Sequence, residues 1–469
     1  MQIAKASIKL FVAKFLGAIL GFIGLALFAR ELGPSQLGVY FLFQALLGVI
    51  AIPANFGIRG AIQKRISEGN SQGEYLSSAI LLKFIALIAL SCVIIIFKNH
   101  INSYLGSELA VLLVIGIIIQ EFGRLSLAVL KGELRVGETA LLQMIRQGIW
   151  LTAGWIFILR GFRVNSLVYS LILSYGVLMI LGWTKSSTSL DTPSFGKVRS
   201  LVDYGRYDAL GNLSQYFFNW MDVLLIGYFL ASSDVGAYET AWRVTIVVTL
   251  FSRALATTIF PQISQWDAIE TKDRIESTVS AALFPSLMFV IPSFFGTLVL
   301  SKQILEVVFG PSYTVAWIVL ILLMGQKVIE GFYIILGSAL NGVDRPDLAA
   351  QATVVATLSN LFLNVALIQS VGIIGAALAT SGSFLINAVL HYHYTTKVID
   401  ITIPIKRIGW SIISSGVMAL FIFSLKLNII IDNIFYLTAI IVIGAIVYLS
   451  MLLLLPSLRT DVFKKVKSI

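Results

Sequence analysis

The sequence has little of what soluble, catalytic or disulfide-stabilised proteins need. Only 12% of its 469 residues are charged, about half the share of an ordinary soluble domain, which excludes a soluble globular protein. The single cysteine, Cys92, excludes a disulfide framework and a cysteine metal site. His391 and His393 diverge on a helix, so no metal site is predicted. No nucleophile elbow, Walker loop or zinc-protease motif occurs, and we expect no enzyme.

Hydrophobic residues make up 58% of the chain, and they fall into runs of the length that a membrane-spanning helix needs. We therefore predict an all-α polytopic membrane protein with about fourteen transmembrane helices. The predicted spans lie near residues 7–29, 37–58, 77–97, 108–130, 139–159, 165–183, 206–231, 236–260, 278–300, 314–339, 348–369, 371–394, 409–427 and 433–455.

The net charge of +10 is distributed unevenly between the two sides of this topology. Loops on one side, together with the termini, carry 21 lysines and arginines, whereas loops on the other side carry 5. Basic loops near spans stay in the cytoplasm, so both termini are predicted to be cytoplasmic in a multi-pass protein of the cell membrane. The bases are scattered over many short loops, which argues against a nucleic-acid partner and is typical of contact with membrane lipids.

Two loop patterns recur at the spacing of six spans. Leu32 to Tyr40 and Leu230 to Tyr238 share the pattern L-x-x-S-x-φ-G-x-Y, and the segments that begin at Leu130 and Leu340 share L-x-G-x-x-R. Because six is even, the two copies should have the same orientation in the membrane. We predict a six-helix lobe over 1–190, a second over 191–397, and an appended helix pair with a basic tail over 398–469.

Predicted span 7 contains a stripe of polar residues, which are three or four positions apart and therefore lie on one helical face. Such a face must meet water or protein partners inside a membrane, so it predicts either a cavity wall or hydrogen bonds between helices. The stripe consists of Asp208, Asn212, Gln215, Asn219 and Asp222.

Several cations also lie at membrane depth, where an unpaired charge is costly. A cavity lined by these bases would suit an anionic substrate, although some of them could instead reach the membrane surface. Glu121 with Arg124 and Lys327 with Glu330 are spaced to pair on one helix, either as simple ion pairs or as pairs exchanged when a gate opens. The cations are Lys14, Lys83, Arg124, Arg146, Arg243, Arg253 and Lys327.

Three segments resemble the Wzx-type polysaccharide flippases, which share a superfamily with the lipid II flippases and the multidrug (MATE) exporters. They are Phe28 to Tyr40, Asn219 to Tyr238, and Leu340 to Pro346. The resemblance implies two six-helix lobes that alternate between inward-open and outward-open states. It also implies a cationic central cavity for a polyprenyl-(pyro)phosphate-linked oligosaccharide, carried outward for the synthesis of surface glycans such as O-antigen.

Within that resemblance, Arg243 matches the cation that often follows the G-x-Y motif of span 8. Arg146, Lys327, Arg124, Lys83 and Lys14 are further candidates for the phosphate, and Asn212, Gln215 and Asn219 are candidates for the sugars. No cofactor is expected. Proton or Na⁺ coupling, or gating, is a separate hypothesis, for which the candidates are Asp208, Asp222, Glu330 and Glu121.

Two rival functions use the same architecture. A cation-coupled multidrug exporter predicts a cavity dominated by acids and aromatic residues, whereas bases outnumber acids among the membrane-depth residues here. A membrane polysaccharide polymerase predicts a substantial extracytoplasmic loop, and the predicted spans leave none longer than about a dozen residues on that side. Other polysaccharide-assembly membrane proteins are expected partners of a flippase.

Overall fold

The computed structural model describes the backbone of residues 2–456 and 458–459, together with their side chains except those of residues 2–15 and 207–218. Over this range the chain forms helices and connecting segments and no strand, which confirms the predicted all-α fold. The chain divides into two compact units, Met1–Gly236 and Ala237–Ile469. The predicted lobe boundaries at residues 190 and 397 stay predictions.

The first unit contains nine α-helices in the described residues, and a tenth begins within it. They are α1 (Gln2–Ile50), α2 (Ile52–Asn55), α3 (Ile58–Ser67), α4 (Gln72–Ile96), α5 (Lys98–Leu105), α6 (Ala110–Gly132), α7 (Val136–Leu159), α8 (Val164–Lys185), α9 (Phe195–Phe229) and α10 (Ser232–Ile246). Helix α9 packs against α1, α3 and α4, so this unit includes predicted span 7.

The second unit continues from α10 through seven further α-helices in the part of the chain that the structure describes. Short 3-10 turns at Val247–Thr249 and Pro311–Ala316 interrupt the series. The helices are α11 (Leu250–Ala268), α12 (Lys272–Leu287), α13 (Val290–Phe309), α14 (Trp317–Gly342), α15 (Pro346–Thr396), α16 (Ile405–Asn428) and α17 (Ile434–Leu452).

Each of the fourteen predicted spans falls, apart from a few terminal residues, on one helix or two consecutive helices. Two predicted boundaries between spans are instead kinks within longer helices. Helix α1 bends at Gly33, which has a φ of 73°, and α15 bends at Val371 and Gly372. A straight helix of 51 residues would be about 75 Å long, far more than the roughly 30 Å of bilayer hydrocarbon, so the kink allows α15 to form two spans.

Ten helices among the described residues are long and apolar enough to cross a membrane. Two of these segments, Leu16–Asn55 and Pro346–Thr396, each overlap two predicted spans. The structure therefore supports a multi-pass membrane protein, and the count of fourteen crossings stays a prediction.

Predicted span 2 is broken near Pro53, which cannot donate a backbone hydrogen bond within a continuous helix. Helix α1 ends at Ile50, and Gly57 adopts a φ of 72° before α3 begins. A Cβ atom on Gly57 would lie 2.0 Å from the carbonyl oxygen of Gly205, so both the backbone angle and the contact with α9 require glycine. This break turns α3 back onto the core of the unit.

Helix α3 is held by apolar packing against α4, α6 and α9. The cluster consists of Ile58, Ala61, Ile62, Ile66, Leu76, Ala79, Leu125, Ala128, Val129 and Leu201. Because these side chains occupy one face of α3, its other face, with Arg59 and Gln63, is left to line a cavity.

The two copies of the L-x-x-S-x-φ-G-x-Y pattern contact each other within the first unit. A Cβ on Gly38 would lie 1.7 Å from the carbonyl oxygen of Ser232, and one on Gly236 would lie 2.0 Å from that of Pro34. Adding 198 to Pro34 and Gly38 gives Ser232 and Gly236, so the contact is reciprocal. Glycine at this position of each copy therefore permits the approach of the other copy.

Candidate functional site

A cavity of about 420 Å³ lies in the first unit, among α3, α6, α7 and α8. Four bases line it, and none of the described residues that line it is acidic. Its polar lining residues are Arg59, Arg124, Lys131, Arg146, Asn55, Gln63, Gln143 and Tyr175. This composition favours an anion with additional hydrogen-bonding groups.

Each wall of the cavity comes from one helical face. On α6, Leu127 and Ala128 lie three and four residues after Arg124, and Lys131 lies four and three residues after them. The pairs Arg59 and Gln63 on α3, Gln143 and Arg146 on α7, and Tyr175 and Leu178 on α8 have the same spacing. Residues at this spacing project from the same side of a helix, so four amphipathic faces meet around the cavity.

Tyr175 lies between two of the cavity arginines. Nη2 of Arg124 donates a hydrogen bond of 3.3 Å to the Tyr175 hydroxyl. The guanidinium of Arg146 lies 4.9 Å from the centre of the Tyr175 ring and donates a 2.9 Å hydrogen bond to Gln147. A cation over an aromatic face is attracted to its π electrons, so Tyr175 helps to hold two like charges near each other.

A buried ion pair lies behind the cavity wall. Nζ of Lys83 on α4 lies 2.6 Å from Oε2 of Glu121 on α6, and both side chains are fully buried. Lys83 also donates to the carbonyl oxygen of Ala54 at 3.2 Å. Nη2 of Arg59 lies 3.8 Å from the other carboxylate oxygen of Glu121. The structure thus pairs Glu121 with bases from neighbouring helices, where one-helix pairing with Arg124 was predicted.

The second unit contains a related cluster around Glu330 on α14. Nζ of Lys327 lies 2.8 Å from Oε2 of Glu330, which confirms this predicted pair, and Arg253 contacts the other oxygen. Lys327 also lies 3.8 Å from the ring centre of Trp242. Gln326 donates to Glu330 at 3.2 Å. Lys327 is only 2% exposed.

Among the remaining predicted site residues, Arg243 pairs with Glu239 at 2.7 Å, one helical turn away, and is partly exposed. Asn219 is exposed and Asp222 is partly exposed. The side chains of Lys14, Asp208, Asn212 and Gln215 lie outside the described residues.

The structure brings two predicted residues, Arg124 and Arg146, into one cavity. Lys83 and Lys327 are enclosed in ion pairs in this conformation, because burial of an unpaired ammonium would be costly. Their direct contact with a substrate stays a prediction.

Sequence reasoning missed several cavity residues. The predicted spans 37–58 and 108–130 left Arg59 and Lys131 in cytoplasmic loops, and Tyr175 was not singled out. Helical spacing could have indicated Lys131, which lies seven residues after Arg124 on the same helical face. For Arg59, the signal was Gly57, which directly precedes α3. The described residues hold no group of three His, Cys, Asp or Glu side chains suited to a metal ion.

Comparison with known proteins identifies relatives over the whole chain. A family model described as "Polysaccharide biosynthesis protein" matches residues 27–318. The Haloferax volcanii protein named "Probable low-salt glycan biosynthesis flippase Agl15" is 48% identical over 464 residues, which cover 99% of this chain and 98% of that protein. "Probable flippase AglR" of the same organism is 30% identical over 437 residues, 90% of each chain.

Solved structures share the fold. The lipid II flippase MurJ in an inward closed conformation matches with a TM-score of 0.79 and 18% identity, over 95% of this chain and 98% of that chain. A multidrug resistance MATE family transporter of the MOP superfamily matches with a TM-score of 0.66 and 18% identity, over 84% and 97% of the two chains. These matches confirm the predicted resemblance to Wzx-type flippases and the expectation of a non-enzyme.

Proposed function

The chain belongs to the polysaccharide biosynthesis protein family, and we propose that it is a flippase for a polyprenyl-(pyro)phosphate-linked oligosaccharide. It would move this lipid from the inner to the outer leaflet of the cell membrane for surface-glycan synthesis. The proposed orientation, with both termini in the cytoplasm, follows from the basic loops.

The cationic cavity of the first unit carries this proposal. A phosphoryl group that leaves water for a membrane-embedded cavity needs positive charge, and arginine can contact two phosphoryl oxygens at once. Arg59, Arg124 and Arg146 offer such contacts, and the amides of Gln63 and Gln143 offer hydrogen bonds to sugar hydroxyls. The lipid tail would remain in the bilayer.

We further propose that two six-helix lobes alternate in opening to the two sides of the membrane. Arg243, Lys327, Lys83 and Lys14 remain candidates for headgroup contacts in other states of the cycle. Proton or Na⁺ coupling through Asp208, Asp222, Glu330 or Glu121 is a separate proposal, and the membrane potential could also act on a charged headgroup.

The rival functions fit the cavity less well. A cation-coupled exporter needs acids where its cationic substrate binds, whereas none of the described lining residues of this cavity is acidic. For a polysaccharide polymerase, the expected large extracytoplasmic loop is absent from the predicted topology. A resistance assay with cationic dyes and a sugar-transfer assay with purified protein would test these rivals.

A deletion strain tests the proposal. Cells without the protein should accumulate the lipid-linked oligosaccharide in the inner leaflet, and the wild-type gene should restore surface glycan. Arg146→Ala and Arg243→Ala should restore less than the wild type at equal protein levels. Arg199→Ala removes a surface base that is 78% exposed, and it should restore fully. Normal translocation in the deletion strain, or full activity of both variants, would refute the proposal.

A further inference from the structure

Arg59 lies between the cationic cavity and the buried carboxylate of Glu121. Its side chain lines the cavity and is 20% exposed. Its Nε donates a hydrogen bond to Oδ1 of Asn55, another cavity residue. Its Nη2 lies 3.8 Å from Oε1 of Glu121, within ion-pair range but beyond a normal hydrogen bond. A small rotation of the guanidinium would therefore bring it closer either to Glu121 or to the cavity, and away from the other.

One carboxylate oxygen of Glu121 lacks a hydrogen-bond donor among the described residues. Its Oε2 accepts from Lys83 at 2.6 Å, whereas Oε1 is buried and has no hydrogen-bond partner among the described residues. A buried carboxylate oxygen without a donor is unfavourable, so Oε1 attracts the guanidinium of Arg59. The Lys83 pair keeps the carboxylate in place whichever way Arg59 turns.

We infer that Glu121 and a phosphoryl group in the cavity compete for Arg59. Without ligand, Arg59 turns towards Oε1 of Glu121, and a bound phosphoryl group draws it towards Arg124 and Arg146. Glu121 is thus a positioning residue that weakens ligand binding. The inference depends on the proposed function only for the source of the ligand, because inorganic phosphates and polyprenyl phosphates share the recognised group.

Such competition suits a transport cycle. Four bases without a competing acid would bind a polyanion tightly and release it slowly, and a transported ligand must be able to leave. A carboxylate that pairs again with one of the arginines lowers the affinity of the cavity for the ligand without occupying space in it. Glu121 can do so because it lies behind the wall, outside the lining of the cavity.

The test measures binding of two probes, inorganic pyrophosphate and farnesyl diphosphate, to the full-length protein in lipid nanodiscs. Glu121→Gln removes the competitor and should tighten binding about tenfold, an ordinary coupling between neighbouring charges. Arg59→Gln should weaken binding. Adding Glu121→Gln to Arg59→Gln should change the affinity little, because the contested arginine is gone. Glu68→Gln, which removes a surface carboxylate paired with Arg65, should leave the affinity unchanged.

Glu121→Gln leaves Lys83 without its carboxylate, so that variant could fail to fold. Lys83→Met combined with Glu121→Leu removes both charges and should show the same tightening. Unchanged or weaker binding in the folded double variant would overturn the inference, as would a wild-type protein that binds neither probe.

The two probes separate this inference from the proposed function. The same tightening for both probes supports recognition of a phosphoryl group. Tightening for pyrophosphate alone supports the competition and overturns a lipid source for the ligand. Tightening for both probes in a protein that does not restore translocation in cells would keep the inference and refute the flippase.

Discussion

Each unit places a buried glutamate beside a buried lysine and a more exposed arginine, but the two units assemble these charges differently. In the first unit, Lys83 and Glu121 come from different helices, and Arg59 is 20% exposed. In the second unit, Lys327 and Glu330 are one turn apart on α14. A similar set of charges thus joins three helices in the first unit, whereas in the second unit the lysine and glutamate share one helix and only the arginine comes from another.

The partners around each carboxylate sharpen this difference. The carboxylate of Glu330 contacts Lys327, Gln326 and Arg253. The side chain of Arg253 is 59% exposed. Glu121 receives a close contact from Lys83 alone among the described ion pairs, with Arg59 further away. We therefore expect the stability of the first unit to depend more strongly on Lys83 than that of the second unit depends on Lys327.

Lys83→Met should have the largest effect on stability. It leaves a fully buried carboxylate without its close partner, which costs about 3–5 kcal/mol of the free energy of unfolding. Denaturant titration in mixed lipid–detergent micelles would measure this loss. Lys83→Met combined with Glu121→Leu is the control and should recover most of it. A loss below about 1 kcal/mol for the single variant would contradict a structural role for the pair.

Lys327→Met should destabilise the protein less, by about 1.5–3 kcal/mol. Glu330 keeps Arg253 and Gln326 as partners, so its carboxylate is not left alone. The same titration measures the change. A loss equal to that of Lys83→Met would remove the proposed difference between the units.

The loops that follow α6 and α14 extend the comparison. Oε1 of Glu133 accepts hydrogen bonds from the backbone amides of Ser187 and Thr188 and from the hydroxyls of Ser186 and Thr188. The matching residue in the second unit, 210 positions later, is the buried Val343. The first unit thus uses a charged contact where the second uses apolar packing.

Glu133→Gln should have a smaller effect than Lys83→Met or Lys327→Met. It should lower the local stability of residues 186–194 by about 1 kcal/mol, which would be measured as faster amide hydrogen exchange there. Asp344→Asn, in the matching loop, is the control and should leave this exchange unchanged. An unaltered rate in the Glu133 variant would show that these hydrogen bonds do not hold the segment.

The same contact should depend on pH. Burial opposes ionisation of Glu133, but the hydrogen bonds from Thr188, Ser186 and Ser187 outweigh it and hold the pKa below its ordinary value of 4.5. The stabilisation is therefore complete above pH 4.5 and is lost as the pH falls through the lowered pKa. Acidification should raise exchange in the wild type, after correction for intrinsic rates, and change the Glu133→Gln variant little.

Hydropathy and loop charge predicted the helical membrane fold because both properties are local in sequence. Gly33 was predicted to lie in a loop and Gly372 at the start of span 12, whereas both are kinks within longer helices, because a glycine with positive φ can bend a helix without ending it. The pairing of Lys327 with Glu330 was also predictable, because helical spacing fixes it.

The cavity was predicted only in part, because tertiary packing decides which helical faces meet. Arg124 and Arg146 were recognised by their depth in the membrane. Arg59 was assigned to a loop, since only the packing of α3 against α6 shows that it turns inwards. The partner of Glu121 was predicted on the same helix, and the structure supplies Lys83 from α4.

Transport by purified protein in liposomes tests the central claim most directly. The assay follows transfer of a fluorescent polyprenyl diphosphate-linked oligosaccharide between leaflets. Wild-type protein should accelerate transfer, and Arg124→Gln combined with Arg146→Gln should slow it about tenfold or more, because two charged contacts with the phosphoryl group are lost. The surface variant Arg199→Gln should match the wild type. Equal rates for wild type and the double variant would contradict the account.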